Sequence, residues 1–295
     1  MTGGCGPPRV DRMTGARRAL GALGMLFVAC VPAGALAAAL RVADTPEALT
    51  MAMQGARVVI LGEVHDNGMQ HALRAAALRK LVEGGARPAL AFEQFDRERQ
   101  AAIDAARSAR PRDADYVIAQ GAGAPSWNWA YYKPFVALAL EYDLPIVAAN
   151  LSRADAMKVA TGGAVADVAV PPAFMQAHEA AVEKGHCNLL PAQALPGMAR
   201  AQIARDRALA ESIAPHAARG VVLLTGNGHA RNDIGAPHWL PAQTRAVTRT
   251  IGLLEKGPEA AADETSAPFD AYVLTEAVAR PDPCAELVRR MKPRN

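Results

Sequence analysis

The stretch Arg57-Val58-Val59-Ile60-Leu61-Gly62-Glu63-Val64-His65-Asp66-Asn67 decides the fold. Val58 to Leu61 form a β-branched, apolar run with no polar alternation, the pattern of a strand buried on both faces of a parallel sheet. The run stops abruptly in glycine, glutamate and histidine. Three further runs repeat this design. Pro88-Ala89-Leu90-Ala91-Phe92 ends at Glu93-Gln94, and Leu144-Pro145-Ile146-Val147-Ala148-Ala149 ends at Asn150. Gly220-Val221-Val222-Leu223-Leu224-Thr225 runs into Gly226-Asn227-Gly228-His229-Ala230-Arg231. Helical patterns lie between them, over roughly 69–83, 96–109, 133–142 and 198–218. This alternation predicts an α/β fold with a mainly parallel central sheet flanked by helices. A helical insertion over about 171–218 precedes the fourth of these strands, the one that ends in Gly226 to His229. The runs at 245–254 and 271–275 read as further strands at an edge, with an exposed loop at 256–268.

Working outward, composition sets the class. Of 295 residues 51% are hydrophobic and 21% charged, enough for one sizeable core and too apolar for disorder. A mean hydropathy of +0.03 excludes a multi-pass membrane protein. Lys and Arg number 32 against 29 Asp and Glu, and the excess vanishes when Arg9, Arg12, Asp11, Arg17 and Arg18 are set aside. A neutral body with 5% aromatic residues offers no footprint for nucleic acid.

Those basic residues belong to a leader. Arg17-Arg18 precedes an apolar run from Ala19 to Val31, and Ala35-Leu36-Ala37 fits a signal-peptidase site before Ala38. The expectation is an export signal over 1–37 and an α/β domain over 38–295. Phe27-Val28-Ala29-Cys30 offers an alternative, a lipoprotein signal in which Cys30 is acylated, with Phe where Leu is usual. Met13 is an alternative start. The body then holds Cys187 and Cys284, which in an oxidising periplasm either pair as one disulfide stapling the C-terminal tail or stay as free thiols.

Absent motifs narrow the chemistry. There is no GxxxxGK, no complete GxGxxG (Arg231 stands where the third glycine would be), no GxSxG and no HExxH, which disfavours nucleotide binding and the common serine hydrolases. What remains at the strand ends is Glu63, His65, His71, Glu93 and His229, with Asn150, Arg231 and Asp233 in support. Ligands bind outside the carboxyl ends of strands in open α/β sheets, so these clusters point to one shared site. Glu63, His65, Glu93 and His229 form a donor set for a divalent metal ion, in which one carboxylate could act as general base in hydrolysis. The competing reading is a structural network in which Glu63, Glu93 and His229 bond one another and Arg231. Gly62 and Gly226 are expected to turn the backbone sharply at the strand ends.

Val58 to Asp66, Phe92-Glu93, Ala149-Asn150, His186-Cys187, Ala201-Gln202-Ile203-Ala204-Arg205-Asp206 and Leu224 to Arg231 together resemble the ChaN-like haem-binding uptake proteins of the Tiki superfamily. The resemblance spans about residues 45–280, and the paired GxxH motifs, Gly62 to His65 and Gly226 to His229, mark the wider superfamily, whose Tiki branch contains metal-dependent proteases. It implies an exported bacterial protein, periplasmic or lipid-anchored at the outer membrane. Such a protein binds haem where two protomers meet and serves iron uptake with outer-membrane machinery. It also implies that Glu63, His65, Glu93 and His229 share the superfamily's metal or catalytic pocket. Haem iron takes His or Tyr ligands. The candidates are His178 and His186, eight residues apart in the segment 171–187, and Tyr131 and Tyr132 in Trp127-Asn128-Trp129-Ala130-Tyr131-Tyr132. The segment 171–187 carries Phe174 and no tyrosine, so a family tyrosine ligand from there would be missing. Met51, Met53, Met157, Met175 and Met198 are expected to fill gaps in the core. Arg200, Arg205 and Arg207 could meet haem propionates, although Arg205-Asp206 is expected to be an internal ion pair.

Overall fold

The computed structural model describes residues 39–122, 127–163, 170–257 and 267–291, so the leader and most of the 256–268 loop lie outside the described residues. All of the described residues belong to one unit, Ala38–Asn295. Seven strands form one sheet: β1 (Leu40–Val42), β2 (Val58–Leu61), β3 (Ala89–Asp96), β4 (Ile146–Asn150), β5 (Val221–Leu224), β6 (Thr248–Glu255) and β7 (Ala271–Thr275). Their spatial order is β1-β7-β6-β2-β5-β3-β4, and every pairing is parallel. The four strands predicted as buried are buried along their whole length apart from Asp96 at the end of β3, as a sheet covered on both faces requires. The 245–254 run is not an edge strand: β6 lies between β2 and β7, and the three-residue β1, too short to show a pattern, closes that side.

The other edge is β4. It is protected by the side chain of Gln100, whose amide donates to the Ile146 carbonyl (2.9 Å) and accepts from the Ala148 N–H (2.7 Å). The edge therefore presents fewer bare backbone groups to a second sheet.

Helices pack on both faces. One core is shared with α1 (Pro46–Met53), α2 (Gly68–Glu83), α3 (Gln100–Ala109), α4 (Ala114–Gly121) and α5 (Trp129–Glu141). Asn67 starts α2, its Oδ1 accepting from the Met69 and Gln70 N–H groups, which would otherwise lack partners. Between β4 and β5 come α6 (Arg153–Ala160), α7 (Pro172–Gly185) and α8 (Leu195–Ile213), followed by the one-turn α9 (Asn227–Ala230) and α10 (Ala242–Arg245). The second core, on the opposite face, joins α8 to β5 and β3 through Leu209, Ile213, Leu223 and Ala91. No described helix is long and apolar enough to cross a membrane.

Cys187 and Cys284 form a disulfide, tying the end of α7 to the C-terminal α11 (Pro283–Met291) across 97 residues of sequence. A closed loop of that length stabilises by about 4.7 kcal/mol in the chain-entropy picture. Of the methionines expected in the core, Met53 is there, whereas Met51 and Met157 are exposed on their helices.

Candidate functional site

The strand order explains why separated motifs meet. β2, β5 and β3 are consecutive neighbours, so Glu63, His229 and Glu93 leave adjacent strand ends. Gly62 and Gly226 serve here by close approach rather than by turning, since neither has a positive φ. A Cβ on Gly62 would meet the Asn227 side chain at 2.4 Å, and one on Gly226 would meet the His65 ring at 2.7 Å. The backbone of each motif is thus packed against the side chain of the other.

Glu63 is buried, and both its oxygens are engaged. Oε1 accepts from the Tyr132 phenol (2.6 Å) and from His65 Nδ1–H (2.9 Å), while Oε2 pairs with the guanidinium of fully buried Arg74. Arg74 also donates to the Leu61 carbonyl and to His71 Nδ1. That fixes the tautomer of His71: Nε2–H donates to the His65 carbonyl at 3.0 Å, and Nδ1 accepts. Burial pushes His71 down to about 4, so it is neutral at physiological pH. Burial also lowers Arg74, to about 10, and leaves it charged. His71 is therefore a buried brace between the His65 loop and Arg74.

The second half is built around Glu93. Its Oε2 accepts from the Thr225 hydroxyl (2.6 Å) and the Gly226 N–H (2.8 Å), and Oε1 faces His229 Nε2 at 3.7 Å. Burial raises this carboxyl, but His229, His65 and the two hydrogen bonds outweigh it and hold Glu93 below its usual range. His229 Nδ1–H donates to Asp206 Oδ1 at 2.7 Å. Burial lowers His229, yet Asp206 and Glu93 together raise it to about 9, so the ion-pair form prevails. Asp206 comes from α8, and its partner is His229 rather than Arg205. Arg205 instead donates to Asn150 Oδ1 (3.1 Å) and the Leu151 carbonyl (3.3 Å), and Asn150 Nδ2 donates to the Glu93 carbonyl. Arg231 forms a two-point pair with Asp233, which the adjacent motif supplies.

These side chains as placed do not fit a divalent ion. Among the described residues no group of three or more His, Cys, Asp or Glu is arranged to hold one. The reason is local: Arg74 already neutralises Glu63, backbone and hydroxyl donors occupy one Glu93 oxygen, and Asp206 takes His229 Nδ1.

The haem candidates divide differently. Tyr132 is buried, its phenol committed to Glu63, and burial pushes its pKa well up. Tyr131 is half-buried and stacks on His71, ring centroids 4.6 Å apart. Trp127 meets His65 edge-on at 5.0 Å. His186 caps α7, its Nδ1–H bonded to the Val182 carbonyl at 2.7 Å, beside the disulfide. His178 lies on the buried side of α7, near enough to His229, Arg231 and Asp233 for all three to act on its charge. Burial lowers it to about 4, a hydrogen bond with the Ile234 backbone acts the other way, and its Nε2 has no hydrogen-bond partner among the described residues. Phe174 packs on His178 (4.8 Å), on His238 (4.2 Å) and on Trp239 (5.7 Å). A neutral imidazole with a bare buried nitrogen, beside a set of flat rings, fits a haem: His178 would hold the iron and Phe174 and His238 the ring. Haem, when bound, would supply the iron chemistry.

Sequence reasoning missed His238 and Trp239, which carry no motif and meet α7 only in three dimensions. It also missed Gln94, buried on β3 beside Tyr132.

Residues 49–240 match the family described as haem-binding uptake, Tiki superfamily, ChaN. No curated protein matches the chain. Among solved structures, ChaN of Campylobacter jejuni with cofacially bound haem is similar at 22% identity and a TM-score of 0.60, over 70% of this chain and 85% of that one. An erythromycin esterase, EreC, in its open conformation aligns at 14% identity and a TM-score of 0.45, over 72% and 73% of the two chains. At 22% identity the likeness to ChaN is one of fold. The family match, covering well over half of the sequence and both GxxH strands, shows that the chain belongs to the ChaN family of haem-binding uptake proteins in the Tiki superfamily.

Proposed function

We propose that this protein binds haem through α7 and the turn at Ala236–Trp239, and that it is an exported carrier in haem and iron uptake. The observation that carries the reading is His178: a buried, neutral imidazole whose Nε2 has no partner among the described residues, in a member of a haem-binding family. Leaving such a nitrogen unpaired costs roughly 1–3 kcal/mol, a cost that a bound metal centre would remove. Export, a lipid anchor at Cys30, dimerisation and passage of haem to outer-membrane machinery are parts of this proposal that rest on the family and the leader. The test is a haem titration of residues 38–295 followed at the Soret band. Saturable binding that weakens at least about tenfold in His178→Leu, while His186→Ala and Tyr131→Phe retain it, is the expected result. Unchanged affinity in His178→Leu with loss in His186→Ala or Tyr131→Phe would move the ligand there.

One observation favours a second activity, hydrolysis at the strand-end pocket: His65 and His229 are each oriented by a carboxylate, Glu63 and Asp206. An imidazole so oriented serves as acid or base. Glu63→Gln should abolish any turnover and leave haem affinity unchanged, which separates the two functions.

A further inference from the structure

The disulfide ends on the helix that carries His178. Within α7 only His178 and Val182 are buried, and the rest of the helix is half-buried or exposed. Its ends are what clamp it. At the start Phe174 packs on His238 and Trp239, and beyond the last turn Cys187 is bonded to Cys284. His178 lies between, four residues after Phe174 and nine before Cys187.

The second clamp holds an unfavourable backbone. Cys187 and Asn188 have positive φ values of 59° and 56°. They finish α7, their N–H groups donating to the Lys184 and Glu183 carbonyls at 3.0 and 2.9 Å. Glycine or asparagine usually takes such left-handed positions, and a cysteine there costs roughly 1–2 kcal/mol. On the other side of the bond, none of Cys284 to Arg289 is buried, so α11 brings no core of its own. The C-terminal segment is moored four residues upstream, where Arg280 bonds Asp66 and Glu255. Four residues reach at most about 14 Å, so the disulfide ties the end of α7 to the loop that carries His65. Both cysteines are half-buried, which leaves them within reach of an attacking thiolate.

We propose that Cys187–Cys284 is a redox latch on α7, opened by a dithiol partner, and that opening it releases haem. The opening stands on the cross-link itself, and the release rests on the haem reading of His178. A thiolate of the partner attacks one sulfur, and the other leaves as a thiolate; the partner's second thiol then resolves the mixed disulfide. Two electrons and two protons pass to the chain, which ends with two thiols, and the partner ends as a disulfide. Cys187 is then free to leave its left-handed conformation, the last turn of α7 frays, and His178 keeps one clamp of two.

Dithiothreitol serves as the dithiol, the new thiols being blocked with iodoacetamide and the reagents removed before haem is added. Hydrogen exchange of the haem-free protein should rise at least about tenfold over 179–186, and by a larger factor than in β2 and β5. Haem should pass to apomyoglobin at least about tenfold faster than from the oxidised protein, as followed at the Soret band. A double variant, Cys187→Ser with Cys284→Ser, should match the reduced protein; if it does not fold, reduction of the folded parent still decides. Loss of protection by one common factor in α7 and the sheet would overturn the latch and make the bond a staple of the whole fold. An unchanged rate of haem release, with His178→Leu still weakening binding, would overturn it as well. A His178→Leu protein that binds haem as the parent does would instead remove the haem reading and the release with it, and exchange over 179–186 would decide the opening alone.

Discussion

In the strand-end pocket each buried carboxylate, Glu63, Glu93 and Asp206, already has a cationic or N–H partner, whereas on α7 the buried His178 Nε2 has none among the described residues. Both regions are rich in imidazole, and both lie at the same end of the sheet. The pocket is electrically closed: Arg74 does for Glu63 what a bound cation would do. The insertion is open, its His178 Nε2 satisfied by nothing among the described residues. Substitutions in the first region should therefore change stability and spare ligand capture, and substitutions in the second should do the reverse.

The largest effect belongs to Arg74. Arg74→Met keeps the volume but strands the Glu63 carboxylate, which costs about 3–5 kcal/mol for a buried pair broken on one side. Urea unfolding should show that loss, with haem affinity of the folded fraction within about twofold of the parent. Adding Glu63→Gln should recover much of it. A folded Arg74→Met protein that no longer takes haem would break the comparison.

His229 gives the next effect, in pH. Its folded pKa is raised, so the stability it contributes is complete below its unfolded value near 6.5 and is lost as pH rises through about 9. The full swing is on the order of 3 kcal/mol. Asp206→Asn removes the main favourable partner, and denaturation midpoints measured from pH 6 to 10 should then fall less steeply. A slope identical to the parent's would show that His229 is neutral throughout.

In the insertion the sign reverses. His178→Leu should weaken haem binding at least about tenfold while changing unfolding free energy by no more than about 1 kcal/mol, because Nε2 has no partner among the described residues and the ring's one backbone hydrogen bond, with Ile234, is worth about that much. Unfolding curves beside Soret titrations of the same samples decide it. A large stability loss with intact haem binding would make His178 structural.

The sheet and the carboxylate pocket were legible because each signal is local. Val58–Leu61 declares a buried strand, and Gly62 to His65 and Gly226 to His229 declare two strand ends. Which residue pairs with which was not legible, because pairing is set by topology. Arg74 sits within α2 and looks like any helix-surface arginine until α2 lies over Glu63. Asp206 follows Arg205, and neighbouring residues on a helix point apart, so the adjacency that suggested an ion pair sends one side chain to His229 and the other to Asn150. His238 and Trp239 have no periodicity at all, and only the fold brings them to Phe174.

The smallest effect sharpens where the pocket ends. Arg280, near the C-terminus, donates two hydrogen bonds to Asp66 (2.9 Å each) and two to Glu255 (2.6 and 2.7 Å), strapping the loop that carries His65 to the end of β6. Its hydrogen bonds are the first cause that lowers Glu255 to about 2. A depressed carboxylate stabilises above its unfolded pKa near 4.3 and loses that contribution as pH falls through about 2. Asp66 is largely exposed, so solvent screening limits the loss in Arg280→Gln to about 1 kcal/mol at neutral pH, shrinking toward pH 2. The informative readout is the ligand. A loosened His65 loop that leaves haem affinity unchanged would keep the pocket mouth outside the capture surface. An affinity loss comparable to that of His178→Leu would join Trp127, His65 and Tyr131 to that surface, and the two regions would then act as one.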